Sequence, residues 1–327
     1  MQQIGIGFVS GWSHTEEMVE FGKMAETSGF QSAWVAEHTF SRDAFSSLGA
    51  LALSTERIKL STSIVNIYTR NPVQMAMGVA TINELSHGRV MLGVGLGNPV
   101  RMAKLGVTVT KPLDAMREYV KIIRDLLAGN SLTFEGKTFN VHDARLEFEL
   151  ASKYVPIYLA AVNSKMLQLA GEIGDGVILT LGSSCDYVRR ALKEVRIGVE
   201  RAGKGTRGGD VICLMVTSVS QNSQVAKAFS KRVILPYVFH PGRGEMMFGP
   251  EYGEQLRLVR QALQARDNDA AIAHITDEMV DLVSLSGGPQ ECRQKLDEFI
   301  AAGVTQPVIV PVPGSDFPAA IAAFRQS

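Results

Sequence analysis

The chain has 327 residues, 46% of them hydrophobic, and its 33 basic and 33 acidic side chains leave no net charge. That length admits one large α/β barrel or two average domains, and the apolar share is enough to bury a large core. The basic excess of a nucleic-acid binder is missing, and near-zero charge raises little barrier to self-association, so we expect no nucleic acid and a homodimer or higher homo-oligomer.

Short apolar runs alternate along the chain with longer segments of helical period. Residues 4–9 predict a strand, and 15–28 a helix closed by Gly29, with Met18, Phe21, Met24 and Ala25 on one face. Residues 32–36 and 58–64 predict the second and third strands, and a helix over about 73–85 follows Pro72. Residues 88–95 form the fourth, followed by a helix over 112–127. The second half repeats the beat: strand 156–160 and helix 165–173, then strand 177–179 and helix 187–202. Strands at 211–219 and 308–310 complete the set, with helices starting near Pro289 and Pro318 around the last.

Repeated βα units require a mainly parallel sheet, because each crossover returns the chain to the same end. Eight units suit closure into an α/β fold of the (β/α)₈ TIM-barrel type, with an open doubly wound sheet as runner-up. After the first strand, where a dinucleotide fold would want it, the G-x-G-x-x-G fingerprint is missing. Insertions follow strands four and seven. Residues 131–148 alternate around Glu135-Gly136-Lys137 and predict a small β excursion. Residues 223–285 predict a long helical excursion that holds the run Pro236-Tyr237-Val238-Phe239-His240-Pro241-Gly242-Arg243-Gly244 and an amphipathic stretch over 255–263. Insertions of that size in a barrel are lids or subunit contacts. No linker divides the chain, so 1–327 reads as a single domain.

Cys185, Cys213 and Cys292 lie far apart without C-x-x-C spacing, which argues against both a disulfide framework and a zinc site. The histidines lack ligand spacing such as H-x-x-x-H, and no metal is expected. A G-x-S-x-G elbow is also missing, which removes the simplest hydrolase. The start of the chain reads as a strand rather than a signal peptide, and no run approaches the roughly 18 apolar residues of a membrane span. A soluble, cytoplasmic protein without membrane attachment is the expectation.

In a barrel, groups just past the C-terminal ends of the strands converge on one mouth. Strand two ends in Glu37-His38, an acid and a histidine that are costly to bury without partners. They either cap a loop or hydrogen-bond a cofactor or substrate. Strand three carries Ser61-Thr62-Ser63 before Ile64-Val65-Asn66, where a parallel strand would keep branched aliphatics. That is a polar strand end or a backbone distortion under a flat ring. Strand four ends in Gly93-Val94-Gly95-Leu96-Gly97-Asn98, glycines that let backbone approach a ligand closely or turn sharply. Strand five runs through Ala160-Ala161-Val162 into Asn163-Ser164-Lys165, which describes either an ordinary capped helix or an anion seat at a helix N-terminus. An aldolase would want a lysine at a strand end, and only Lys165 comes near.

Together, in order, these segments resemble the bacterial luciferase-like superfamily, especially its methylenetetrahydromethanopterin-reductase-like branch. The matching stretches are Trp34 to His38, Ile58 to Asn66 with Tyr68 to Pro72, Glu84 to Arg89, Leu92 to Gly95 and Met166 to Leu179. The resemblance implies a TIM barrel that binds FMN or coenzyme F420 at the strand C-termini, with a cis peptide equivalent to Ser63–Ile64 beneath the central ring. It further implies that Asn66 faces the pyrimidine side, that Ala161, Asn163, Ser164 and Lys165 hold the phosphate, and that Glu37 and His38 are the pocket pair. Catalysis would rest on His38 as proton donor or ring-polarising group, oriented by Glu37. The branch points to F420, whereas glutamate at position 37, where F420 users tend to have aspartate, points to FMN.

The expected activity is hydride transfer to or from a small-molecule substrate. One alternative is FMN-dependent monooxygenation with oxygen and a partner flavin reductase. Another is a non-catalytic flavin-binding protein.

Overall fold

The computed structural model describes residues 3–152, 154–205, 209–238 and 242–326. Phe239, His240 and Pro241 of the aromatic run lie outside the described residues. In chain order the strands are β1 (Gly5–Val9), β2 (Ser32–Ala36), β3 (Lys59–Thr62), β4 (Val65–Asn66), β5 (Val90–Gly95), β6 (Leu132–Glu135), β7 (Asn140–Ala144), β8 (Ile157–Ala160), β9 (Gly176–Leu179), β10 (Asp210–Val219), β11 (Ser284–Gly287) and β12 (Gln306–Pro311).

Parallel pairing runs from β1 through β2, β3 with β4, β5, β8, β9 and β10 to β12, and β12 pairs back with β1. The ring closes. The chain is therefore a TIM barrel and the open-sheet alternative falls, with β3 and β4 forming one interrupted stave.

Alternation along the staves sorts side chains between two cores. Ile212, Leu214 and Val216 of β10 point into the barrel with Val308 and Val310 of β12, while Cys213, Met215 and Ile309 point out under the helices. Both faces are buried, which is why these strands read as continuous apolar runs. Each such side chain contributes about 1.5–3 kcal/mol by leaving water.

The first residues of β10 pair with β9, and its last four, Val216–Val219, pair with β11. β11 straddles the end of the stretch expected to be helical (223–285) and was not foreseen, because the four residues Ser-Leu-Ser-Gly carry no readable period. The helix Ala44–Ser54 was also unannounced. Asp43 caps it by accepting from the Ser46 N–H, but its sequence is apolar on most sides and shows no stripe.

The excursion over 131–148 is a two-stranded antiparallel hairpin of β6 and β7, its turn held by Glu118, which accepts from the N–H groups of Lys137, Thr138 and Phe139. The later insertion contains helices Ser223–Val238, Arg243–Phe248, Gly253–Gln264, Asn268–Ala273 and Asp277–Val283 around a small core of its own, including Ile234, Met247, Leu256 and Met279.

Candidate active site

The stave made of β3 and β4 breaks at the mouth, and the residues around the break explain it. Thr62 Oγ1 donates to the Gly93 carbonyl at 2.6 Å and accepts from the Gly93 N–H at 2.9 Å, replacing ladder bonds with a side chain. The Ser63–Ile64 peptide bond is cis. Ser63 N–H still donates to the Val35 carbonyl at 2.8 Å, and the Ile64 carbonyl accepts from the Glu37 N–H at 3.2 Å.

Gly93 in β5 and Gly97 just beyond it make room for this break. A Cβ on Gly93 would lie 2.2 Å from the Thr62 carbonyl oxygen, and one on Gly97, at φ +72°, would lie 2.2 Å from Asn66 Nδ2. Asn66 is correspondingly occupied: Nδ2 donates to the Leu96 carbonyl, and Oδ1 accepts from the N–H groups of Tyr68 and Thr69.

Glu37 and His38 leave β2 in different directions. Glu37 Oε2 accepts from the Ala44 N–H at 3.2 Å and faces Arg70 at 3.4 Å. Arg70 also pairs with Asp43 and lies over the Phe45 ring. Glu37 thus anchors a loop, the capping role that remained open for it. His38 is half-buried and its backbone N–H donates to Ser10 Oγ at 2.8 Å. Its Nδ1 faces Gly11, where an added Cβ would sit 3.0 Å away. Burial, reinforced by the Arg101 charge, holds the imidazole below its ordinary value of 6.5, so it is neutral at pH 7.

A cavity of about 840 Å³ opens over these residues, with a smaller one of about 170 Å³ beneath it. Glu37, His38, Ile64, Trp12, Thr180 and Tyr237 line both; Asn66 lines the larger and Ser63 the smaller. Five arginines (Arg42, Arg70, Arg101, Arg232 and Arg243) reach the larger cavity against two carboxylates, Glu37 and Asp43. The roof, with Phe229, Val233, Pro236 and Tyr237, comes from the later insertion. Its size falls in the range of about 300–1,000 Å³ typical of small-molecule sites.

Residues 6–306 match the family described as luciferase-like monooxygenase. The chain belongs to that family. It is 34% identical over 311 residues to 5,10-methylenetetrahydromethanopterin reductase from Archaeoglobus fulgidus, covering 94% of this chain and 92% of that one. It is 26% identical to F420-dependent glucose-6-phosphate dehydrogenase from Kineococcus radiotolerans, over 92% and 88% of the two chains. The solved structure of the coenzyme F420 dependent tetrahydromethanopterin reductase from Methanopyrus kandleri superimposes with a TM-score of 0.90 at 27% identity, over 99% of this chain and 97% of that one. The superfamily and branch expected from the ordered segments are borne out. This luciferase-like chain is a hydride-transferring oxidoreductase, the reading these relatives favour.

The remaining residues singled out in the sequence sit on the rim of the luciferase-like barrel. Asn163 is the N-cap of helix Ser164–Ile173 and its side chain makes no capping bond. Asn163, Ser164 and Lys165 are exposed, Ala161 is buried, and all four lie outside the cavity lining. Sequence reasoning missed Trp12, Arg101, Thr180, Tyr237 and Arg243. Thr180 was within reach, since it directly follows β9 at the functional end of a strand. The two insertion residues carried no such signal. Among the described residues no three histidine, cysteine or acidic side chains gather as a metal site, and no helix is long and apolar enough to cross a membrane.

Proposed function

We propose that this chain is an F420-dependent reductase of a methylene group carried on a reduced pterin. Support comes from relatives whose names state that chemistry across nearly their whole length. The observation that carries the reading is the cavity itself, in which a neutral His38 and the apolar walls Trp12, Ile64 and Tyr237 share one mouth with a surplus of arginines. Flat walls suit a planar ring, so the residues fit a deazaflavin or a flavin.

When bound, such a ring supplies or accepts a hydride. The chain does the rest. Trp12, Ile64 and Tyr237 exclude water from the reacting face, and orientation by fixed walls contributes to the rate. His38, with Nδ1 turned to Gly11, keeps Nε2 free, where the neutral imidazole would polarise the ring by a hydrogen bond or take up the proton released in the reverse, oxidative direction. Ser63, Ile64 and Asn66 would lie beside the ring. Ala161, Asn163, Ser164 and Lys165 would hold phosphate at the open helix N-terminus on the rim, one stave beyond β5. Glu37 faces Arg70 and the Ala44 N–H, so glutamate at position 37 bears on loop packing and gives FMN little support. Residues 1–327 act as one catalytic domain under the insertion roof, in a cytoplasmic homo-oligomer that needs no flavin reductase.

Spectral titration of the purified protein with F420 and with FMN, followed by stopped-flow mixing of its complex with reduced F420 and a methylene-bearing tetrahydropterin, tests the proposal. We expect saturable F420 binding and oxidation of the reduced cofactor on substrate addition. Saturation by FMN alone with oxygen uptake would make it a monooxygenase, and binding without turnover a flavin-binding protein.

A further inference from the structure

The cavity's arginines are not equivalent. Arg70 is paired with Glu37 and Asp43. Arg42 donates to the Ser10 carbonyl and lies against His14, and Arg101 donates to the Thr39 carbonyl. Arg232 is exposed to solvent. Arg243, in contrast, is drawn under the roof. One Nη donates to Thr180 Oγ1 at 2.8 Å, its guanidinium carbon lies 4.7 Å from the centre of the Tyr237 ring, and its buried Nε has no partner.

No carboxylate offsets Arg243 among the described residues: the groups that influence its charge are the hydroxyls of Tyr237 and Tyr187, and burial holds its pKa below the ordinary arginine value. A desolvated cation without a counter-charge is costly unless something else supplies the charge. Thr180 and Tyr237 fix the plane of the fork, and both also line the smaller cavity beside His38. A planar fork with free N–H groups matches the two oxygens of a carboxylate or phosphate.

We propose that Arg243, held by Thr180 and Tyr237, is an anion subsite that receives a carboxylate or phosphate oxygen of the substrate at the cavity roof. The assignment to substrate rests on the reductase reading above, whereas the anion subsite itself does not. The rim seat at Asn163–Lys165 is the separate candidate for the cofactor's phosphate, and it lies outside this cavity.

The test uses the cofactor-free full chain, with Trp12 fluorescence reporting from the same cavity, titrated with acetate and with inorganic phosphate. Wild type, Arg243→Lys and Arg243→Met are compared, with F420 affinity and the KM for the tetrahydropterin measured in parallel. Arg243→Met is expected to weaken anion binding at least about tenfold and raise KM similarly. F420 affinity should stay within about twofold, and Arg243→Lys should recover part of the loss. Thermal stability should hold or rise, because an uncompensated buried charge has been removed; a merely structural arginine would lower it. Anion binding unchanged in Arg243→Met overturns the subsite, and a loss confined to F420 overturns its assignment to substrate. Anion binding lost in Arg243→Met by a protein that never binds F420 keeps the subsite and rejects the reductase reading.

Discussion

Two arginines at opposite ends of the barrel, Arg89 and Arg243, are treated in opposite ways. At the N-terminal end, Arg89 spends all its donors inside the protein: Nε on the Ser86 carbonyl, and its Nη groups on Thr55 Oγ1 and on the carbonyls of Ile58, Ala52 and Thr55. Arg124 pairs with Asp175 at 2.8 Å, and Tyr158 donates to Asp210 at 2.8 Å. At the mouth, Arg243 keeps an orphan Nε and His38 is pushed toward neutrality. A satisfied charge holds loops together, and an unsatisfied one waits for a ligand. The same side chain therefore serves stability in Arg89 and, on the proposal above, binding in Arg243.

The sharpest way to break this comparison is Arg89→Met. It leaves several carbonyls at the foot of β3 and β5 without a donor, at about 1–3 kcal/mol for each that water cannot reach. We expect a loss of about 3 kcal/mol or more in denaturant unfolding, with F420 affinity within about twofold of wild type. Arg89→Met that unfolds like wild type would show that the foot of the barrel does not depend on this guanidinium.

The mouth should respond the other way. His38→Ala removes a half-buried ring that makes no side-chain hydrogen bond among the described residues, so stability should move by no more than about 0.5 kcal/mol. The single-turnover rate of hydride transfer should fall about 100-fold, the low end for loss of a general acid–base group. An unchanged chemical rate would remove His38 from the mechanism.

The same division explains what could be read from the sequence. The staves were legible because their pattern is repetitive: eight apolar runs, most of them followed by a turn and an amphipathic helix. A distortion of the third strand could be read from hydroxyls standing where aliphatics belong, the bond Ser63–Ile64 itself was implied by the family resemblance, and the role of Gly93 and Gly97 in making room for Thr62 and Asn66 shows only in the fold. Glu37 was visible as a strand-end acid, but its partner Arg70 lies 33 residues on and only the folded loop brings them together. Arg243 and Tyr237 were least legible. Their role depends on how the insertion folds back over the mouth, and neither sits at a strand end.

The smallest effect comes from Glu26 and sharpens the comparison through pH. Its carboxylate accepts from the N–H groups of Glu56, Arg57 and Ile58 just ahead of β3. Burial alone would raise its pKa, but these donors outweigh burial and hold it below the ordinary 4.5. A carboxyl whose folded value is depressed contributes stability above the unfolded value and loses it as pH falls through the folded one. Glu26→Gln should therefore cost about 1 kcal/mol at pH 7, given its partial exposure, and the gap to wild type should close below pH 4.5. Denaturant unfolding of both proteins at pH 7, 5, 4 and 3 would show this as converging curves. A gap that stayed constant would mean that shape rather than charge holds this corner, and anion binding at the mouth should be the same in both proteins at pH 7.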